Sequence, residues 1–177
     1  IYEICRCDSV ESIVFNGRSA AFDEKVLSVI RSAEALFIAG GDQSRYVSFW
    51  KDTPVAEAIN ELAERSVPIG GTSAGMAVLG EFVYSAMAEE SLTSAAALAD
   101  PFDENLTLAR NFLKLPQLAN TITDQHLEER DRMGRTVALL SRLLEQGWTD
   151  DARAIAADRE TALHINPKTG IGRVVAT

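Results

Sequence analysis

The stretch VPIGGTSAGMAVLG, residues 67–80, decides how this chain folds. Val67–Ile69 is a short apolar run of the kind found in strands buried on both faces. Gly70–Gly75 carries only small side chains, and Met76–Leu79 resumes with helical character. Inside it, Gly71-Thr72-Ser73-Ala74-Gly75 fits the G-x-S-x-G nucleophile elbow, placed after a strand and before a helix. The neighbours must be small because the serine sits on a sharp turn that a bulkier neighbour would obstruct. The following helix aims its first N–H groups at Ser73, which makes the Ala74 N–H a natural oxyanion donor. A glycine-rich turn without chemistry, or a phosphate cradle, would share this composition. A Walker P-loop is excluded, since no Gly-Lys-Ser/Thr follows.

Working outward, strands and helices alternate. Upstream, Ala35–Ala39 is a buried strand stopped by Gly40-Gly41, and Phe22, Val26, Ile30 and Ala33 recur at helical spacing through Asp23–Ala33. Pro54 opens a helix over Val55–Arg65 whose stripe is Val55, Ala58, Ile59 and Leu62. Ser12–Phe15 is expected as a strand ended by Asn16-Gly17. Downstream, Ser91–Leu98 has helical character within the less regular 87–114 segment, and Pro101–Asp103 is a turn. Ala119–Thr123 is expected as a strand and Leu127–Gln146 as one long amphipathic helix closed by Gly147. Strands are expected at Ala152–Ala157, Thr161–Ile165 and Gly172–Ala176, with a hairpin turn at Pro167–Gly170. Such alternation predicts a single α/β domain over residues 1–177 with a largely parallel sheet.

Composition narrows the function. With 17 basic and 26 acidic residues the net charge is −9, which argues against binding a phosphate backbone. No apolar run approaches the roughly 20 residues that cross a bilayer. Cys5 and Cys7 alone cannot build a disulfide framework, and they leave the compartment open. The chain opens on Ile1 rather than Met, and Ile1–Cys7 already has the character of a domain interior. It closes on the apolar run Ile171–Ala176, so a longer native protein is expected.

A serine nucleophile needs a base, and the chain offers two histidines. His164 lies within the strand-like TALHI, whereas His126 follows the strand end in ITDQHLEER, at the sheet edge where ligands bind in α/β folds. Among carboxylates, Glu160 follows the Ala152–Ala157 strand through a brief turn, with Asp158 as the alternative. Arg130, Arg132 and Arg135 are expected on the helix that carries His126. Arg130 would lie one turn away, with Arg135 continuing the row. They could fork onto substrate carboxylates or pair with Glu128, Glu129 and Asp131 on a solvated face. No His/Cys cluster has metal-ligand spacing, so no metal or organic cofactor is expected.

Four ordered motifs, GGDQ at 40–43, GGTSAG at 70–75, DQHLEERDRMGR at 124–135 and Asp-x-Glu-Thr-Ala-Leu at 158–163, resemble the cyanophycinases within the S51 serine peptidases. These are relatives of the aspartyl dipeptidases, and the resemblance runs from about Phe15 to Ala176. It implies a three-layer αβα, flavodoxin-like fold similar to class I glutamine amidotransferases, with further strands before this chain begins. It implies a triad of Ser73, His126 and Glu160, with Ala74 and Gly41 as oxyanion donors. Gln43 is assigned to the substrate pocket, Asp124 and Gln125 flank the histidine, and Arg130, Arg132 and Arg135 hold aspartate groups of the substrate. The order Ser…His…Glu differs from the Ser…Asp/Glu…His of α/β-hydrolases. Leu127 stands where the family usually has phenylalanine, and Met76 where alanine is common. The implied partner is an aspartate-containing peptide, cyanophycin or β-aspartyl, and the implied assembly a homodimer. An aspartyl dipeptidase, or a non-catalytic ligand binder on the same fold, remains the alternative.

Overall fold

Asp23 starts the first helix, α1 (Glu24–Ser32), by accepting the N–H groups of Lys25 and Val26 on its carboxylate. In the computed structural model, which describes residues 7–88 and 91–176, α1 buries Leu27 and Ile30 as their spacing predicts. Strand β1 (Leu36–Ile38) follows, then α2 (Gln43–Trp50) and α3 (Pro54–Glu64), and β2 (Ile69–Gly71) returns parallel to β1. The elbow leads into α4 (Ala74–Ala77), then β3 (Phe82–Tyr84), α5 (Ser94–Ala99) and β4 (Leu108–Arg110). Last come β5 (Thr121–Gln125), α6 (Met133–Glu145), β6 (Arg153–Ala157), β7 (Thr161–Ile165) and β8 (Gly172–Ala176).

The expected α/β class with parallel pairing is what the structure has. β5 lies between β3 and β6 and runs parallel to both, and β4 adds an antiparallel edge beyond β3. The parallel strands fall into two sheets, because β1 and β2 pair only with each other among the described residues. β7 and β8 form the expected hairpin, with Ile165 opposite Gly172. One core cluster joins α1, α2 and α3 to β1 through Leu27, Ile30, Val47, Ile59, Leu62 and Ile38. A second surrounds β5, where Ile122 meets Phe82, Leu139 and Leu143. No helix among the described residues is long and apolar enough to cross a membrane.

Several expectations are corrected. Ser12–Phe15 forms no ladder; Ile13 and Phe15 instead pack on the core, the Phe15 ring meeting Trp50 edge-on at 5.1 Å. Helix α2 was hidden by its short apolar face, although Asp42 carries an N-cap signal and accepts the Ser44 N–H at 2.9 Å. Strands β3 and β4 are three residues each, too short for periodicity to reveal. β2 and β5 each begin two residues later than expected, and α5 begins at Ser94, where Thr93 caps it.

The expected helix from Leu127 is also broken. Residues 127–130 make one α-turn, closed by the Arg130 N–H on the His126 carbonyl at 3.1 Å. Asp131 then turns left-handed (φ 46), its N–H reaching Glu128 while that of Arg132 reaches Leu127, a Schellman stop. α6 begins afresh at Met133. The reading of Ile1–Cys7, including Cys5, falls outside the described residues apart from exposed Cys7, as do residues 89–90 of the irregular segment.

Candidate active site

The small residues of the elbow are there because backbone comes too close for anything larger. A Cβ on Gly75 would overlap the Ile38 carbonyl oxygen and lie 2.6 Å from that of Ala39; one on Gly71 would lie 2.9 Å from the Met76 nitrogen. Ser73 between them adopts φ 51, ψ −121, a conformation that costs a non-glycine residue about 1–3 kcal/mol. Gly75→Ala should therefore destabilise the fold by roughly 1–3 kcal/mol or more, the scale of overpacking. A thermal melt checks this, and an unchanged Tm would mean that β1 does not press on the elbow.

Ala74 is the first residue of α4, so its N–H has no intrahelical acceptor. The Gly40-Gly41 turn lies beside it: a Cβ on Gly40 would be 3.3 Å from the Ser73 Cβ, and Gly41 takes φ 140. Tyr46 fastens this turn by donating its hydroxyl to the Ala39 carbonyl at 2.8 Å. Burial, then the nearby Asp42 charge, holds the Tyr46 hydroxyl pKa above 10.0.

His126 arrives from β5. Thr123 donates its hydroxyl to the Met76 carbonyl at 2.7 Å and accepts the Gly80 N–H at 3.2 Å, tying β5 to the end of the elbow. His126 follows with φ 54, and its Nε2 lies 3.0 Å from Ser73 Oγ. The serine and histidine expected to act together are therefore in hydrogen-bond contact.

The carboxylate on the other side of the ring is not the expected one. Glu129 Oε2 lies 2.8 Å from His126 Nδ1, whereas Glu160 is exposed on the turn before β7 and makes no hydrogen bond to His126. The α-turn explains the difference, since residues three apart share one face of it. Asp158 supports that turn, its Oδ2 accepting the N–H groups of Glu128 at 2.7 Å and Glu129 at 3.2 Å. The hydrogen bond from His126 chiefly holds the Glu129 carboxyl below its usual 4.5. The Arg159 N–H does the same for Asp158, below 3.8, with those of Glu128 and Glu129 adding to it.

The three arginines separate. Arg130 is exposed and forms no ion pair among the described residues, close enough to Glu129 to favour its charged form. Arg132 donates to the carbonyl oxygen of Gln125 at 2.9 Å and also to its side-chain oxygen, orienting the residue before His126. Arg135 is only 1% exposed and cannot reach a substrate. Its Nε and Nη2 grip both oxygens of Asp124 at 3.2 and 2.5 Å, Nη1 meets Ser91, and the plane lies 4.6 Å over the Tyr84 ring. Asp124, expected beside the histidine, is equally buried and is satisfied by Arg135, Thr136 and the Gln125 N–H. Gln43 sits nearby, its amide 3.5 Å from the Tyr84 carbonyl.

Sequence reasoning had treated Glu129 as a solvated charge, although its spacing from His126 was the available signal. It also passed over Arg159, which lies beside Glu129. A surface hollow of about 530 Å³ between Arg18, Lys51, Arg110 and Trp148 contains neither Ser73 nor His126. No cluster of three metal-ligating side chains occurs among the described residues.

Residues 9–167 match the family model for peptidase family S51. The cyanophycinase of Trichormus variabilis is 28% identical over 142 residues, 80% of this chain and 44% of that protein. The cyanophycinase of Geminocystis herdmanii is 31% identical over 120 residues, 67% of this chain and 40% of its own length. The chain thus spans less than half the length of these curated relatives. The crystal structure of a peptidase from an acI-B1 Actinobacterium shares the fold, with a TM-score of 0.62 over 91% of this chain and 57% of that one at 19% identity. A family match that takes in the elbow and both members of the Ser73–His126 contact leaves one conclusion: the chain belongs to peptidase family S51.

Proposed function

We propose that this chain carries the catalytic serine of a peptidase that cleaves aspartate-containing peptides, of the cyanophycin or β-aspartyl kind. The observation that carries the reading is the 3.0 Å contact between Ser73 Oγ and His126 Nε2 on a strained elbow. Ser73 attacks the scissile carbonyl while His126 takes its proton and then returns it to the leaving amine. The tetrahedral oxyanion is held by the N–H groups of Ala74 and Gly41. The named relatives, both cyanophycinases, and the motif resemblance support the substrate class. Arg130, exposed and without an ion pair among the described residues, is the arginine that meets a substrate carboxylate, while Arg132 orients Gln125 and Arg135 holds Asp124 beside His126.

A serine-directed fluorophosphonate tests the nucleophile: Ser73 should be labelled in the unaltered chain, and no label should appear in Ser73→Ala. Parallel hydrolysis assays on cyanophycin, β-Asp-Arg and α-aspartyl dipeptides then rank the substrates. Label without turnover of any of the three would end the substrate assignment. Arg130→Lys keeps the charge and loses the planar fork. It should lower kcat/KM for β-Asp-Arg by roughly 1–3 kcal/mol in transition-state binding, the scale of a hydrogen bond to a charged group. Its Tm should hold, since an exposed arginine contributes little to folding. Equal kcat/KM values would remove Arg130 from the pocket.

A further inference from the structure

We infer that Glu129 is the carboxylate that orients His126, and that Asp158 is the positioning residue that holds Glu129 in place. The inference rests on Ser73 and His126 acting as nucleophile and base, and it replaces Glu160 as the third member.

Three observations converge. Glu129 Oε2 is 2.8 Å from His126 Nδ1 while Nε2 faces Ser73 at 3.0 Å, so one imidazole bridges carboxylate and hydroxyl. If Nδ1 carries the proton and donates it to Glu129, Nε2 has its lone pair free to accept the serine proton, as a general base requires. The α-turn that presents Glu129 is closed by the Arg130 N–H on the His126 carbonyl, so histidine and glutamate move as one unit. Asp158, arriving from the end of β6, accepts two consecutive N–H groups of that turn at 2.7 and 3.2 Å. It fastens the turn to the sheet strand paired with β5. Glu160, two residues further on, has left-handed backbone (φ 56) and an exposed side chain. The lowered pKa values of Glu129 and Asp158 agree with both remaining ionised beside the imidazole.

During the reaction the serine proton passes to Nε2, and the imidazolium so formed is held by the Glu129 carboxylate through Nδ1–H. Glu129 itself stays ionised. When Nε2 gives its proton to the leaving amine, the neutral ring returns to the same tautomer, because Nδ1 faces a carboxylate, a stronger acceptor than the serine oxygen beside Nε2.

The test reads the tautomer directly. In a His164→Gln background, where His126 is the one remaining histidine, imidazole ¹⁵N shifts at mildly alkaline pH should show Nδ1 protonated and Nε2 bare. Glu129→Gln should give a mixture of tautomers, because an amide can donate as well as accept, whereas Glu160→Gln should leave the pattern as it was. Fluorophosphonate labelling of Ser73 should slow far more in Glu129→Gln than in Glu160→Gln, by about 10² to 10⁴-fold if the wrong tautomer is the cause. Asp158→Ala should move both readouts part of the way, and Asp158→Asn should restore them, because an amide oxygen still accepts the two N–H groups. A protonated Nε2 in the parent chain, or a greater effect of Glu160→Gln on tautomer and labelling, overturns the inference. If Ser73 takes no label at all, the nucleophile reading fails, and the ¹⁵N pattern still decides whether Glu129 holds the ring.

Discussion

Ser73→Ala and His126→Ala should each abolish hydrolysis, with losses on the order of 10⁴ to 10⁶ in kcat. The double variant should be hardly worse than either single one. Ser73 Oγ and His126 Nε2 share one hydrogen bond at 3.0 Å, and in the proposed mechanism the proton that leaves Ser73 arrives on His126. Removing either breaks the same step, so the two losses cannot add. What remains is catalysis by the oxyanion donors and by substrate binding, which need neither side chain. Initial rates on β-Asp-Arg for the two single variants and the double variant are the measurement. Losses that multiply in the double variant would mean that the residues act in separate steps, and the shared mechanism would be withdrawn.

The largest effect on folding should come from Arg135. By the family resemblance it is one of three arginines that hold aspartate groups of the substrate. The structure encloses it: 1% exposed, with both Asp124 oxygens on its guanidinium and the Tyr84 ring beneath. Lysine cannot make the forked contact and would leave Asp124 partly unpaired in the interior. Removing one member of a buried ion pair costs about 3–5 kcal/mol, and Arg135→Lys, which keeps the charge but not the fork, should fall at the lower end of that range. For a chain of this size that corresponds to a Tm lower by roughly 10 °C. Asp124→Asn should behave alike, because it strands the arginine. A double replacement, Arg135→Met with Asp124→Leu, should regain much of the stability, since what the single variants suffer is largely an unpaired charge rather than a lost attraction. Thermal denaturation of the three variants decides it. An Arg135→Lys chain that melts with the parent and loses only selectivity would return Arg135 to the pocket.

Asp124 and Arg135 show why the sequence reading of this site was partial. Both stand in a charged stretch, DQHLEERDRMGR, in which every ionised residue has the same claim to solvent or to substrate. Which of them is enclosed depends on Tyr84 and Ser91, contributed by β3 and the segment before α5. Glu129 was concealed differently. A continuous helix from Leu127 was expected, which drew attention to Arg130 at four residues and away from glutamate at three. Left-handed backbone at His126 and Asp131, φ 54 and 46, breaks that helix, and hydrophobic spacing carries no sign of it. Only the Schellman stop at Asp131 and the support from Asp158 make the α-turn stand alone.

Local steric and periodic constraints determined the rest without help. The glycines of GGTSAG require an elbow because no Cβ fits at Gly71 or Gly75, Asp23 and Pro54 begin their helices, and Ala35–Ala39 announces a buried strand. Those features depend on neighbours within a few residues, so the sequence alone expresses them. The meeting of Ser73 with His126 joins residues 53 positions apart, and the exchange of Glu160 for Glu129 turns on where β6 delivers Asp158. Such long-range contacts depend on how β2, β5 and β6 are placed relative to one another. That placement follows from the burial of whole elements and the closure of long loops, so tertiary structure alone decided which carboxylate meets His126.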